Sequence, residues 1–295
     1  MQRELWKNSE EFVENFSLKE LSFFKVGGNC DLFFSPKNVE NLSLFLREFD
    51  GNVLCLGNIS NTLISDDGID GCVINLMNSF DKVRFFNDFV IVDAGVLLSN
   101  FIKICIKNGV SCLEQLFCIP GTIGGAVCMN AGTPSFDISK NFVSADCVDI
   151  RSGDIISIQK EELKMGYRSG NIPKNLIIIS AKFKIYNESP SVLNDITKEI
   201  FRARLASQPI NEKTCGSTFK NPKGMRAWQL IKETNCDKLS VGGAVVSQKH
   251  CNFLINSGDA TAKDFIKLID IMKEKVFENS CIMLEEEIKI IGRNL

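Results

Sequence analysis

Four stretches of the chain combine residue types that could do chemistry. IPGTIGGAVCMNAG places Gly121, Gly124, Gly125 and Gly132 around Thr122 and Asn130. Glycines let a backbone approach a ligand closely and expose its N–H groups, which suits a diphosphate. The same string also reads as two tight turns between packed strands, and composition alone leaves both readings open. It lacks GxGxxG spacing at a strand-to-helix turn and lacks GK[ST], which argues against a Rossmann site and a P-loop. LGNISN puts Asn58, Ser60 and Asn61 at the end of a buried strand, as a second wall for such a ligand or as an ordinary turn. CGSTFKNP sets Ser217 after a glycine, outside the GxSxG pattern of a nucleophile elbow, and no spacing rule makes the single histidine, His250, its base. GYRS offers Tyr167 and Arg168, and an Arg after a hairpin reads as a solvated charge or an ion-pair partner. LEEEIKIIG has three consecutive carboxylates; in a strand, Glu285 and Glu287 share one face and Glu286 takes the other. That run also suits an edge strand protected by charge.

The elements that must position these groups follow from periodicity. A short helix is expected over 10–19 and another in NVENLSLFLREF, with Leu42, Leu44, Phe45 and Leu46 as its apolar residues. VLCLG reads as a buried strand and KVRFF-ND-FVIVDAG as a hairpin turning at Asn87-Asp88. Ser99 is the expected N-cap of NFIKICIKN, which stops at Gly109. DCVDI-RSGD-IISI forms a second hairpin and LIIISAKFKIY a long strand. Helices are expected in VLNDITKEIFRARLA and MRAWQLIKET, and short strands in VGGAVVS and NFLIN. Thr261 and Asp264 form a capping box for a long amphipathic helix, and IMLEEEIKIIG closes the chain as a strand. Helices and strands mix without regular βα alternation, so the class is α+β.

Composition narrows the function. At roughly 150 residues per domain, 295 residues suggest about two domains. With 34 basic and 36 acidic side chains there is no basic face for nucleic acid. Twelve cysteines are spread along the chain without a Cys-x-x-Cys pair, and most sit in apolar strings as small hydrophobes, so a reducing compartment is expected and a bound metal is not. The charged start, MQRELWKNSEEF, and the lack of a long apolar run read as a cytoplasmic protein without a membrane span.

Taken in order, FKVGG, LGNISN–LISDDG, IPGTIGGAVCMNAG, GYRS, RLASQP, CGSTFKNP, AWQLI, VGGAVVSQKHCNFLIN and LEEEIKIIG resemble the UDP-N-acetylenolpyruvoylglucosamine reductases, FAD enzymes of peptidoglycan synthesis, from about Phe23 to Gly292. The resemblance implies a two-part flavin-binding unit of the vanillyl-alcohol-oxidase type, over 1–78 and 79–190, and an α+β substrate-binding domain over 191–295. It implies that FAD lies against Gly57, Asn58, Ser60, Asn61, Pro120, Gly121, Thr122, Gly124, Gly125, Asn130, Ala131 and Gly132. NADPH would reduce the flavin, whose N5 passes hydride to C3 of the enolpyruvyl ether on a UDP-sugar. Arg168 and Glu287 would answer the negative charge that builds on the substrate carboxylate, Glu287 only as the neutral acid or through a proton or water. Ser217 would give the proton to C2. Arg204, Asn221 and Lys289 match substrate-binding positions, Arg204 suiting a diphosphate. The short interval after Arg168 resembles the shorter subtype, without the extra loop over the substrate pocket. The chain departs from the pattern at Ile59, where glycine is common, at Lys25, where arginine is frequent, at Lys289, where arginine is common, and in the atypical TPSFDIS after the second loop. The other readings are a different FAD oxidoreductase on the same fold and a nucleotide-sugar binder without catalysis.

Overall fold

The computed structural model describes residues 11–295. Contacts divide these into two compact units, neither continuous in sequence: one takes the described residues up to 14 with 32–58 and 71–202, the other 15–31, 59–70 and 203–295. The expected cuts at 78 and 190 do not coincide with this partition, because 15–31 and 59–70 belong with the C-terminal stretch. Each unit has its own apolar core, and the mixture of sheets and helices is α+β.

The first unit holds 12–14, 32–34, 71–74 and 53–55 of the strands Phe12–Ser17, Asn29–Phe34, Ile69–Ile74 and Val53–Cys55, which neighbour one another in that order. The helix expected over 10–19 is therefore a strand from residue 12; residue 10 lies outside the described residues. Packing overrode the polar helical pattern: the Phe12 ring stacks on Phe34 with centroids 4.2 Å apart. Helix α1, Val39–Glu48, starts where the Asn38 side chain accepts from the N–H of Asn41, and buries Leu42, Phe45 and Leu46. Leu44 stays exposed.

A five-stranded antiparallel sheet forms the rest of that unit, ordered Ile155–Gln159, Phe142–Asp149, Leu176–Lys184, Phe89–Asp93, Val83–Phe85. It contains both expected hairpins, and the apolar run LIIISAKFK is its middle strand, covered on both edges. Helix α2, Leu98–Lys107, is capped differently from expectation: Leu97 is its N-cap, without a side-chain bond. Its entry is fixed by backbone, through the N–H of Leu98 to the carbonyl of Gly121 at 3.0 Å, so Ser99 falls inside the helix. The glycine-rich string contains an element that sequence reading did not anticipate, the short helix α3, Ile123–Cys128. Helix α4, Pro190–Ser207, runs from this unit into the next.

The second unit holds α5, Ala227–Glu233, the strands Ser240–Val241, Ala244–Val246 and Leu254–Asn256, and α6, Ala262–Ser280. The capping box on α6 forms as expected, with Asp264 N–H donating to Thr261 Oγ1 and Thr261 N–H to the Asp264 carboxylate. The closing strand is shorter than expected: only Lys289–Ile291 is regular, parallel to Thr62–Ile64. Among the described residues no helix is long and apolar enough to cross a membrane.

Candidate active site

In the first unit the two glycine-bearing loops meet. The N–H of Leu56 donates to Ile74, and Asn75 Nδ2 donates to the carbonyls of Leu56 and Gly57, at 2.9 and 3.0 Å, so the end of the strand is pinned. The N–H groups of Gly57 and Asn58 have no acceptor among the described residues. A Cβ at 57 would lie 2.4 Å from Thr122 Oγ1, so residue 57 is small because the second loop passes over it. Thr122 in turn caps α3, accepting from Gly125 at 3.3 Å. The next two donors of α3 are consumed inside the protein, Ile123 by Val96 and Gly124 by Ala94, both at 2.9 Å.

The glycines of this region divide between the two readings left open by sequence. Gly124 and Gly132 are packing glycines, since a Cβ would lie 3.0 Å from Ala94 Cβ and 2.6 Å from Asp137 Cβ. Gly121, at φ +131°, is a conformational one. Gly125 is different: it is exposed, and a Cβ there would meet only Thr122 Oγ1, at 3.5 Å. Pro120 is also exposed, while Ala131 is buried. An open glycine beside a loop with two uncommitted N–H groups is a fitting surface for an anionic diphosphate.

Asn130 ends this segment at φ +41°, buried to 2% exposure. Its side chain faces inward: Oδ1 accepts from Ser139 N–H at 2.9 Å, and Nδ2 donates to the carbonyl of Gly166 at 2.8 Å. Gly166 opens a tight turn closed by backbone bonds to Ser169 in both directions. Arg168 sits in that turn at φ +55°, a conformation that favours glycine, and its guanidinium lies over the Tyr167 ring at 4.9 Å. A non-glycine residue held there is the kind of local strain found at functional sites. Gly170 fastens the far side of the turn, donating to the carbonyl of Cys128 at 2.9 Å.

The second unit brings the Ser217 and Glu287 segments together. Residues 217–220 run between 252–253 and 285–287. Thr218 N–H donates to Asn252, Lys220 N–H to Glu285, and Glu287 N–H to Thr218, each at 2.8 Å. Asn252 grips Phe219 from both sides, its Oδ1 accepting from the N–H at 3.0 Å and its Nδ2 donating to the carbonyl at 2.8 Å. Ser217 bridges to Phe253 and is half-buried, as is Glu287. Asn61, of the same unit, joins this frame: its Nδ2 donates to the Glu287 carbonyl at 3.1 Å, and its carbonyl accepts from Lys289 N–H at 2.9 Å. The acidic run is not an uncompensated cluster: Glu285 pairs with Lys220, and Glu286 pairs with Lys273 of α6 at 2.7 Å. Nor is it a regular strand, so simple alternation does not describe it.

The remaining candidates are placed as follows. Arg204, in the last turn of α4, directs Nε and one terminal nitrogen to Gln208 Oε1 at 2.9 and 2.7 Å. Asn221 Oδ1 accepts from Ala227 N–H at 3.0 Å and so starts α5. Lys289 is exposed. Ile59 occupies φ +45° and is buried, so the chain keeps a glycine-like conformation at a position filled by a branched side chain. His250 packs edge-on against Phe253 and accepts from Asn252 N–H at 3.3 Å; burial lowers its pKa from the ordinary value. Sequence reading missed Asn252, Asn75 and Lys273. The only signal was that Asn252 lies inside the KHCNFLIN string. The buried Thr218 hydroxyl, which has no partner among the described residues, gave no signal.

A relative from Rickettsia massiliae, a UDP-N-acetylenolpyruvoylglucosamine reductase, is 43% identical over 287 residues, covering 96% of this chain and 97% of the relative. The chain belongs to the UDP-N-acetylenolpyruvoylglucosamine reductase family. The family's C-terminal domain matches 208–291, which contains Ser217 and Glu287, and an FAD binding domain matches 30–159, which contains both glycine-bearing loops. The crystal structure of the reductase from Thermus caldophilus is similar with a TM-score of 0.82 at 32% identity, over 95% of this chain and 98% of that one. A berberine bridge enzyme variant, a reticuline dehydrogenase, shares the fold with a TM-score of 0.50 at 17% identity, over 63% of this chain and 43% of its own. The chain is thus an FAD-dependent oxidoreductase whose flavin-binding part has the vanillyl-alcohol-oxidase type of fold.

Proposed function

We propose that this chain reduces UDP-N-acetylglucosamine enolpyruvate to UDP-N-acetylmuramate with NADPH, and that Arg168, Ser217 and Glu287 carry the chemistry. The observation that supports this most directly is the backbone frame joining the Ser217 and Glu287 segments, closed by the bond from Glu287 N–H to Thr218. In this reading 1–78 and 79–190 hold the flavin and 191–295 holds the substrate. The N–H groups of Gly57 and Asn58, without an acceptor among the described residues, lie against FAD together with the exposed Pro120 and Gly125, in loops shaped by Ser60, Asn61, Gly121, Thr122, Gly124, Asn130, Ala131 and Gly132.

When bound, FAD supplies the hydride, taken from NADPH, to C3 of the enolpyruvyl group. The electrons flow toward the substrate carboxylate, so the developing negative charge must be met by preorganised groups. Arg168 provides a permanent cation, held in place by a strained turn rather than left to search for its position. Glu287 meets the same carboxylate, as the neutral acid donating a hydrogen bond or through a proton or water. Ser217 Oγ–H gives its proton to C2, which the charge relayed from C3 has made basic. Arg204, Asn221 and Lys289 bind the substrate, Arg204 suiting its diphosphate, while Asn221 also starts α5. Twelve free thiols suit a reducing compartment, the cytoplasm.

The test separates the two half-reactions. Ser217→Ala should leave anaerobic bleaching of the flavin by NADPH near the wild-type rate, and should slow reoxidation by the enolpyruvyl substrate by about 10²–10⁴-fold. A folded protein that takes up no FAD, or equal loss of both half-reactions in the variant, would refute the assignment.

A further inference from the structure

We propose that three asparagines, Asn130, Asn61 and Asn252, act as positioning residues, each fixing the backbone beside one of the three catalytic side chains. The inference rests on the roles given above to Arg168, Glu287 and Ser217. Asn130 and Asn61 lie in the glycine-bearing loops, where an asparagine would ordinarily be taken for a ligand-binding group. Yet the Asn130 amide is spent on Gly166, two residues before Arg168, and on Ser139. Asn61 spends its N–H₂ on the carbonyl of Glu287 itself. Asn252 closes a two-bond ring with the backbone of Phe219, two residues after Ser217, and its own carbonyl holds Thr218.

The three contacts have one chemical form: a side-chain amide donates to a peptide carbonyl within two residues of a catalytic group. An amide suits this role because it donates and accepts from one planar group and carries no charge at any working pH. Asn130 and Asn252 are 2% and 4% exposed, so either amide, if it loses its carbonyl, becomes a buried donor without a partner. Arg168 gains most. Its positive φ is a conformation the residue avoids when free, and the Asn130 bond to Gly166 helps hold the turn that imposes it. Through Asn130 and Asn61, each glycine-bearing loop also sets the position of a group that must act on the substrate.

The direct test replaces each amide by a carboxylate of the same shape, Asn130→Asp, Asn61→Asp and Asn252→Asp, in the FAD-loaded enzyme. Each change turns a donor toward a carbonyl into a repelling oxygen. Expected is reoxidation by the enolpyruvyl substrate slowed about 10- to 100-fold through kcat, because small misplacements of reacting groups cost that much. Flavin reduction by NADPH, measured per bound flavin, should slow by less than reoxidation does, because the three catalytic groups act on the enolpyruvyl substrate. In the Asn130→Asp, Arg168→Lys double variant the losses should not multiply, because one residue acts through the other. Equal slowing of both half-reactions, multiplying losses, or wild-type reoxidation would overturn the inference. If an Asp variant does not retain flavin, the matching Asn→Ser variant is judged by the same criteria. Arg168→Lys alone distinguishes the two levels: if it leaves reoxidation unchanged, the role of Arg168 fails; if it slows reoxidation while Asn130→Asp does not, only the positioning role fails.

Discussion

Ile59 gives the sharpest quantitative test of the first loop. Its φ of +45° is a left-handed conformation that costs an L-residue about 1–2 kcal/mol, and a β-branched side chain tolerates it least. The residue is nevertheless 4% exposed, and its carbonyl accepts from Phe23 N–H at 3.3 Å, so burial and backbone bonding hold it in place. Two truncations separate these terms. Ile59→Ala removes the buried side chain, at a cost of about 2–5 kcal/mol, and keeps nearly all of the backbone strain. Ile59→Gly removes the same side chain and relieves the strain.

In an ordinary extended or helical position glycine is worse than alanine by about 0.5–1 kcal/mol, through the entropy of the unfolded chain. Here the relief of about 1–2 kcal/mol should reverse that order, leaving Ile59→Gly more stable than Ile59→Ala by roughly 0.5–1 kcal/mol. The assay is urea unfolding of both variants at one fixed FAD concentration, because bound cofactor shifts apparent stability. Both should be less stable than wild type, with glycine the milder change. An alanine variant more stable than the glycine one would mean that residue 59 is not held left-handed, and the account of this loop would fall.

Other expectations follow from the same structure. Gly57→Ala would push a Cβ to 2.4 Å from Thr122 Oγ1 and displace the cap of α3, so the FAD dissociation constant should rise about tenfold by fluorescence titration, for a loss near 1.4 kcal/mol. With a thiol-specific dye at pH 8, Cys281 should react first. Cys128 should follow slowly, because its surroundings push its thiol up to about 11 although the residue is exposed, while Cys55, Cys105, Cys147 and Cys215, pushed up to about 12 by burial, should stay silent until denaturant is added. Asp264→Asn should lower the melting temperature at pH 7 by weakening the capping box. The bond from Thr261 N–H depresses the folded pKa of Asp264, so its contribution is present above the ordinary Asp value of about 4 and lost as pH falls through the folded pKa; the two melting curves should converge in acid.

How much of this was legible in the sequence depended on the range over which each feature is decided. The α6 capping box was readable because donor and acceptor lie three residues apart. The hairpins were readable because alternation and turn chemistry are also local. The strand at 12–17 was misread because its polar pattern is helical, while its pairing is decided by Phe34, more than twenty residues away. The partition into two units was not readable from a linear scan, because 15–31 and 59–70 join a unit whose bulk begins after residue 202. The glycine-rich string was legible only as an ambiguity, and the ambiguity was real: within it, Gly124 and Gly132 serve packing and Gly125 faces open space. Residue types near the site were easier to find than their use. Asn61 and Asn130 look the same in sequence as ligand-binding asparagines, and only the direction of each amide, toward Glu287 and Gly166, assigns them to the scaffold. A side chain's direction is set by tertiary context, so a motif can identify the chemistry of a site while leaving open which of its members touch the substrate and which hold those that do.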